Sequence, residues 1–539
     1  MKQVVKKLIA VTLAVVMATG MLVGCAGSGN GKKGGGAASN GKTLYIYAQK
    51  NGLGDAWLEN AAKAYQNETG TEVHVEFDAL LSGNLNTLFE NEGAELGDLY
   101  FTQGTSWAKN TYNGYITDLT DFMNEKEDGK QSLAERLQYN ARYILDEDGN
   151  KKWSVVPFTA GVSGFAYNKE MMSYICHDVL GWEKGHDYPV NTKELEEVMD
   201  AMEKISSEKK NKELFTYEQG GQTLDVKPFV WSGTTGAWGA TMETWWNQWN
   251  GVEGMYEWYD REENCDMLND EGFYIIYQKI VDMLRLEEDS NGNYNSTVCI
   301  PNCISYNHTA AQSQLLLGKA VMCPTGSWFY SEMSAAIEDE EAWGFMPFPY
   351  MSDDKGNPLT REGVEMPKNE DGEYISYSRT NTPDNFCIPT RAKNQEEAKK
   401  FLRFMLSEEY MPKLAEDIQA ILAYSYDDSA VEKSAWFEEV AKFVENTNVM
   451  SIFTGSKMHI FGAHEYYYNP YGVGPFARLV QSGYGSSKKL IDSATGEEIS
   501  SATEATGTMV TENVYKYVYQ NYLNCVEQWS DTIRKIQRY

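Results

Sequence analysis

The chain has 539 residues, 42% of them apolar and 13% aromatic. That is the composition of a folded protein too long for one hydrophobic core, so two or more lobes are expected. Its formal charge of −31 makes nucleic acid and anionic lipid poor partners and suits a solvated acidic face.

Lys2, Lys6 and Lys7 precede an apolar stretch at 8–23 that ends in Leu22-Val23-Gly24-Cys25. The stretch is too short and too interrupted by small residues for a spanning helix, and reads as an export signal over residues 1–24. Its end resembles the bacterial lipobox. That resemblance implies cleavage before Cys25, lipidation of Cys25, and a membrane anchor on the outer face of a Gram-positive cell. Removing the signal takes away three lysines and no acids, leaving the mature chain at −34. Residues 26–42 are almost wholly Gly, Ala, Ser, Asn and Lys and bury nothing. With Cys25 they form a lipidated leash whose ends lie roughly 20–25 Å apart.

Residues 43–48 (TLYIYA) alternate as a strand, 55–68 carry helical spacing through Trp57, Ala61, Ala64 and Tyr65, and 71–77 are a second strand. A helix over 85–92 and a short apolar strand at 97–101 follow. This β-α-β-α-β order predicts a parallel or mixed sheet with ligand gathered at the carboxyl ends of its strands. The loops at 49–55 and 102–107 are therefore candidate site loops, with Gln49, Asn51, Asp55, Thr105 and Ser106 as hydrogen-bonding groups and Trp107 as a stacking platform.

Asp148-Gly149 and Asp371-Gly372 mark hairpins. Asp146, Asp148 and Asn150 mimic a calcium loop but lack its later glycine and glutamate, so they read as a turn. Residues 192–206 form an amphipathic helix capped by Thr192, with Leu195, Val198, Met199 and Met202 inward. Six tryptophans crowd 229–258. Trp245, Trp249 and Tyr256 have near-helical spacing and read as core; Trp231 and Trp238, flanked by glycines, are cleft candidates. Helices are expected at 396–407, 410–416 and 435–444, an exposed polar excursion at 482–508, and a last helix at 513–537. Seven cysteines beyond Cys25 lack zinc spacing and read as buried thiols. His459 and His464 are five apart, not the spacing of a helical metal pair, and no metal or other cofactor is expected.

Four segments in register resemble the extracellular solute-binding protein family 1, the maltodextrin-binding type: 157–171 (PFTAGVSGFAYNKEM), 318–330 (GKAVMCPTGSWFY), 343–350 (WGFMPFPY) and 386–414 (FCIPTRAKNQEEAKKFLRFMLSEEYMPKL). The resemblance implies an α/β, two-lobed periplasmic-binding-protein-like fold of type II with the ligand cleft between lobes. Lobe one would span 43–158 plus about 379–423, lobe two 159–350 plus about 424–539, with 351–378 as hinge crossover and hairpin. The first crossover would be 157–159 and the third would follow Ala423. It also implies a monomeric binding protein, not an enzyme, that hands an extracellular oligosaccharide to the permease of an ABC transporter. Residues 216–295 and the tail beyond Gly455 are longer than the family's pattern.

Sugars present hydroxyls and flat apolar faces, so their sites pair aromatic rings with planar hydrogen-bonding groups. Trp328, presented by Gly326 and Ser327, matches the family's stacking tryptophan. Arg379, Asn381 and Asp384 follow the second crossover, where the family lines its cleft; Arg379 suits a carboxylate or a surface acid. His464 and Tyr466 belong to a late aromatic loop. A glycoside hydrolase, which needs two carboxylates at defined separation, and a peptide-binding or sensor lipoprotein on the same fold remain open alternatives.

Overall fold

The computed structural model describes residues 42–103, 107–126, 129–139, 141–145, 150–233, 237–259, 271–288, 294–380, 384–450, 489–492, 495–504 and 509–512. The signal, Cys25 and the leash before Lys42, the turn at 146–149, the late aromatic loop, Cys265, Cys525 and the expected last helix lie outside them.

Thr43–Gln49 pairs in parallel with Glu72–Asp78 on one side and Leu99–Thr102 on the other. Asn385–Cys387 then runs antiparallel between Leu99–Thr102 and Val155–Pro157, completing five strands. The first helix, Ala56–Thr69, buries Trp57, Leu58, Ala61, Ala62 and Tyr65, an i, i+3/i+4 stripe, and stops at Gly70, whose φ of 73° is left-handed. Gln395–Met405 covers the same core with Ala398, Phe401, Leu402 and Met405. The late strand and this helix therefore complete a core begun some 340 residues earlier in the chain.

The second sheet orders Lys227–Phe229, Ala320–Gly326, Ser163–Asn168 and Trp343–Met346; only the first two run parallel. Helix Thr192–Glu208 packs on it through Leu195, Val198, Met199, Met202 and Ile205. The cap of this helix is Asn191, whose side chain accepts from Glu194 N, rather than Thr192. Thr192 is buried instead, its hydroxyl bonded to Ser352. Trp238, Trp245, Trp246 and Trp249 lie on helix Ala237–Tyr259 inside this second core. Cys176, Cys299, Cys303, Cys323 and Cys387 are buried free thiols.

Two expectations change. Met351, Met366 and Tyr377 pack into the second core while Phe386 packs into the first, so the chain crosses back between 377 and 386 and not within 351–378. Residues 368–374 do form a hairpin, bridged Lys368 to Tyr374 and turned at Gly372. The stretch 482–508 is not a bare excursion: Leu490–Asp492 pairs with Glu498–Ile499 and with Met509–Thr511, and Ile491 docks in the second core. Small polar composition hid a strand whose Ile491 side chain finds a remote partner.

Candidate functional site at the lobe junction

The two cores are joined by segments that bond to one another. Phe158 N donates to Asp384 O, Ala423 N to Phe158 O and Ala160 N to Ile421 O, at 3.1, 2.8 and 2.9 Å, and Val162 bridges Thr380. These ladder bonds fix the backbone at the base of the junction.

Asp384 sits on this ladder, 1% exposed. Its carboxylate accepts from Thr159 Oγ1 at 2.6 Å, Gln103 Nε2 at 2.9 Å and Asn51 Nδ2 at 3.3 Å. Burial pushes its pKa up, and the three donors and the charge of Arg142 push back. Arg142 is itself buried, which pulls its guanidinium down to about 10. Both sequence-expected loops thus converge on one carboxylate. Asn51 is held in place because its Oδ1 accepts from Leu53 N, an Asx turn.

From the second lobe come Gly326, Ser327 and Trp328. Ser327 N donates to Val162 O at 2.9 Å, Val162 N returns a bond to Ser327 Oγ at 3.2 Å, and Trp436 Nε1 donates to Ser327 O at 2.8 Å. Gly326 is required because the Trp328 ring folds over it: a Cβ there would lie 2.3 Å from the indole. Trp328 remains half-buried. On the facing side Gly52 approaches Glu332, whose Cγ would lie 3.0 Å from a Cβ on Gly52. Glu332 accepts from Gln312 Nε2 at 2.8 Å, and burial raises its pKa. Among the described residues, Ser378 Oγ and Thr380 Oγ1 are buried polar atoms without a hydrogen-bond partner, the condition a ligand hydroxyl or water relieves.

The other expected residues fall elsewhere. Gln49 serves its own lobe, donating to Ala79 O and accepting from Ser82 N. Asp55 pairs with Lys50 at 2.8 Å. Trp238 is fully buried, and Trp231 and Trp107 are each 4% exposed in apolar clusters. Their expected cleft role gives way to core packing, because no ring face is left for a ligand. Arg379 ends strand Ser376–Arg379. Thr105, Ser106, Asn381, His464 and Tyr466 lie outside the described residues. Gln103, Thr159 and Arg142 were not singled out from the sequence, although Gln103 directly follows strand Leu99–Thr102 and Thr159 sits in the first crossover.

Two α/β lobes, each with its own sheet and core, joined by bonded crossovers around a polar junction, define a two-lobed solute-binding fold. Residues 60–427 match the model of the bacterial extracellular solute-binding protein family, and the chain belongs to that family, whose members are binding proteins found outside the cytoplasm. Among curated proteins none matches. Similar solved structures include the GacH receptor of Streptomyces glaucescens, described unliganded and with acarbose, at 14% identity and TM-score 0.56 over 91% of this chain and 98% of that one. A chitin oligosaccharide binding protein matches at 16% and 0.55, covering 92% and 99%. RafE of Streptococcus pneumoniae in its apo form matches at 15% and 0.54, covering 93% and 100%. These likenesses show the fold. Among the described residues no helix is long and apolar enough to cross a membrane, and no group of three or more His, Cys, Asp or Glu side chains forms a metal cluster.

Proposed function

We propose that this chain is the surface-anchored receptor of a carbohydrate importer: it captures an extracellular oligosaccharide between its lobes and delivers it to the permease of an ABC transporter. The observation that carries the reading is the half-buried Trp328 ring, presented by the second lobe on a bonded Gly326-Ser327 turn, at a junction whose first-lobe loops converge on Asp384. An aromatic face beside carboxylate and amide groups matches the chemistry of a sugar. Acarbose and chitin oligosaccharide, ligands of two structural relatives, support the class. The cysteine at 25, the leash over 26–42, and the ion pair that ties Lys42 to Glu397 at 3.3 Å fit a monomer tethered through lipid on Cys25. We assign the first lobe to 43–158 with about 379–423, and the second to most of the remainder.

Calorimetric titration of the mature chain against starch, plant and host oligosaccharides, with product analysis of each mixture, tests this. Tight binding of intact sugar is expected. Cleavage of the sugar, or silence across the panel, overturns the reading.

A further inference from the structure

A second concave site lies beyond Trp343–Met346, the edge strand of the second sheet. It has a volume of about 260 Å³ and is bounded by residues 185–190, Pro347, the hairpin from Asn369 to Ser376, and Asn446. None of these residues takes part in the lobe junction described above. Tyr188, on one wall, has its ring 6.0 Å from that of Tyr167, near the end of strand Ser163–Asn168 opposite the one that meets the crossover.

The walls are preformed. Tyr350 N donates to Val190 O, Thr192 N to Tyr350 O and Ile375 N to Pro367 O, and the hairpin closes through the bridge from Lys368 to Tyr374. Tyr374 and Val190 are nonetheless 39% and 38% exposed, two of the few large apolar side chains that are. Tyr374 is held in position: its ring meets Tyr350 edge-on at 6.0 Å and 67°, and Lys368 Nζ lies 4.6 Å from its centroid. Lys368 and Tyr350 engage part of the ring, and the 39% of Tyr374 that stays exposed at the groove is the surface a ligand can meet.

The polar groups beside it choose the ligand. Asp187 and Glu373 bring carboxylates, and Asn369 brings an amide that bonds Glu373. His186 is occupied by Glu194 at 3.0 Å, and the Lys368 ammonium is spent on the Tyr374 ring. An anion meets like charge here, whereas hydroxyls find acceptors. The volume falls just below the roughly 300–1,000 Å³ of drug-sized sites, room for one sugar ring and not a chain. We infer that this groove is a second carbohydrate subsite, which seats a single neutral pyranose against Tyr374 on the outside of the second lobe, independently of lobe closure. The choice of sugar as ligand class rests on the function proposed above; the place of the site does not.

Saturation-transfer NMR on the full mature chain, with methyl β-glucopyranoside, methyl β-galactopyranoside and N-acetylglucosamine as probes and glucuronate as the anionic control, tests the assignment. Trp328→Ala is expected to retain transfer to at least one neutral probe, and Tyr374→Ala to weaken that residual binding roughly three- to tenfold. Val190→Asp, a second exposed position, is expected to act like Tyr374→Ala, and thermal unfolding confirms that each variant is folded. If Trp328→Ala abolishes all transfer, the groove is refuted while the cleft stands. Transfer unchanged by Tyr374→Ala and Val190→Asp also refutes it, as does glucuronate binding as well as the neutral probes. No transfer in any form refutes the groove, and the calorimetric panel then decides the cleft separately.

Discussion

Removing the Asp384 carboxylate is the most direct test of the junction. In Asp384→Ala, Thr159, Gln103 and Asn51 lose their shared acceptor, and the buried Arg142 loses a neighbouring negative charge. Leaving a buried donor without its acceptor costs about 1–3 kcal/mol, and the Thr159 hydroxyl, 2% exposed, is such a donor. Burial strains both partners, raising the Asp384 pKa and lowering that of Arg142. The Asp384 carboxylate is therefore held by its donors against its own burial. Urea unfolding gives the total, and hydrogen exchange of Val155–Pro157 and Asn385–Cys387, which pair beside Asp384, locates the loss. The raised acid pKa also fixes a sign: the folded state binds this proton more readily, so Asp384's contribution to stability falls as pH rises from the unfolded value through the folded one. A loss below about 1 kcal/mol would refute the reasoning.

The remaining predictions concern the ring and the leash. Trp328→Ala is expected to weaken oligosaccharide binding by about 1–3 kcal/mol without unfolding the protein. Gly326→Ala should match it, since its Cβ would displace the indole; calorimetric affinities equal to wild type in both would remove Trp328 from the site. Glu397 accepts from Tyr65 at 2.8 Å, Thr71 at 2.7 Å and Lys42 at 3.3 Å. Burial works against ionisation there, but these bonds and the Lys42 charge outweigh it and hold the carboxyl below its ordinary 4.5. Its stabilisation is thus present above the unfolded value and lost as pH falls through the folded one. Glu397→Gln is expected to cost about 1–3 kcal/mol at neutral pH and to flatten the acid limb of a stability-against-pH curve; an unchanged limb argues against the network.

The first two strands of the first sheet were legible because they alternate and the helix between them carries an apolar stripe ending in glycine, all signals local to the chain. Trp328, the proposed stacking platform, drew notice through its adjacent Gly326 and Ser327 and its place in the family's motif. Trp238 misled because Gly236 and Gly239 suggest a loop, yet the chain enters its helix at Ala237 and turns the indole into the core. Glycine flanks report backbone freedom and say nothing about which side of a ring is covered. Asp384 was picked for its place after the crossover, but its donors stand 225, 281 and 333 residues away. No periodicity carries a pairing across such a separation, so Gln103, Thr159 and Arg142 stayed hidden until the fold brought them together.

The contact between Gly52 and Glu332 joins these strands of argument, because it is where side chain and backbone of opposite lobes meet away from the crossovers. Gly52 belongs to the loop that carries Asn51, and Glu332 to the helix Phe329–Met333 that follows Trp328. A leucine at 52 must push Glu332 aside, since even its Cβ would lie 3.0 Å from Glu332 Cγ. Glu332 has little room to yield, being held by Gln312. Gly52→Leu therefore props the lobes apart without touching the ligand groups, and observed affinity falls by the fraction of molecules still able to close. Small-angle scattering should show a larger radius of gyration with ligand than for the wild type, alongside weaker binding. Unchanged affinity with an unchanged radius would mean that closure does not pass through this contact, and that the crossovers alone set the closed geometry.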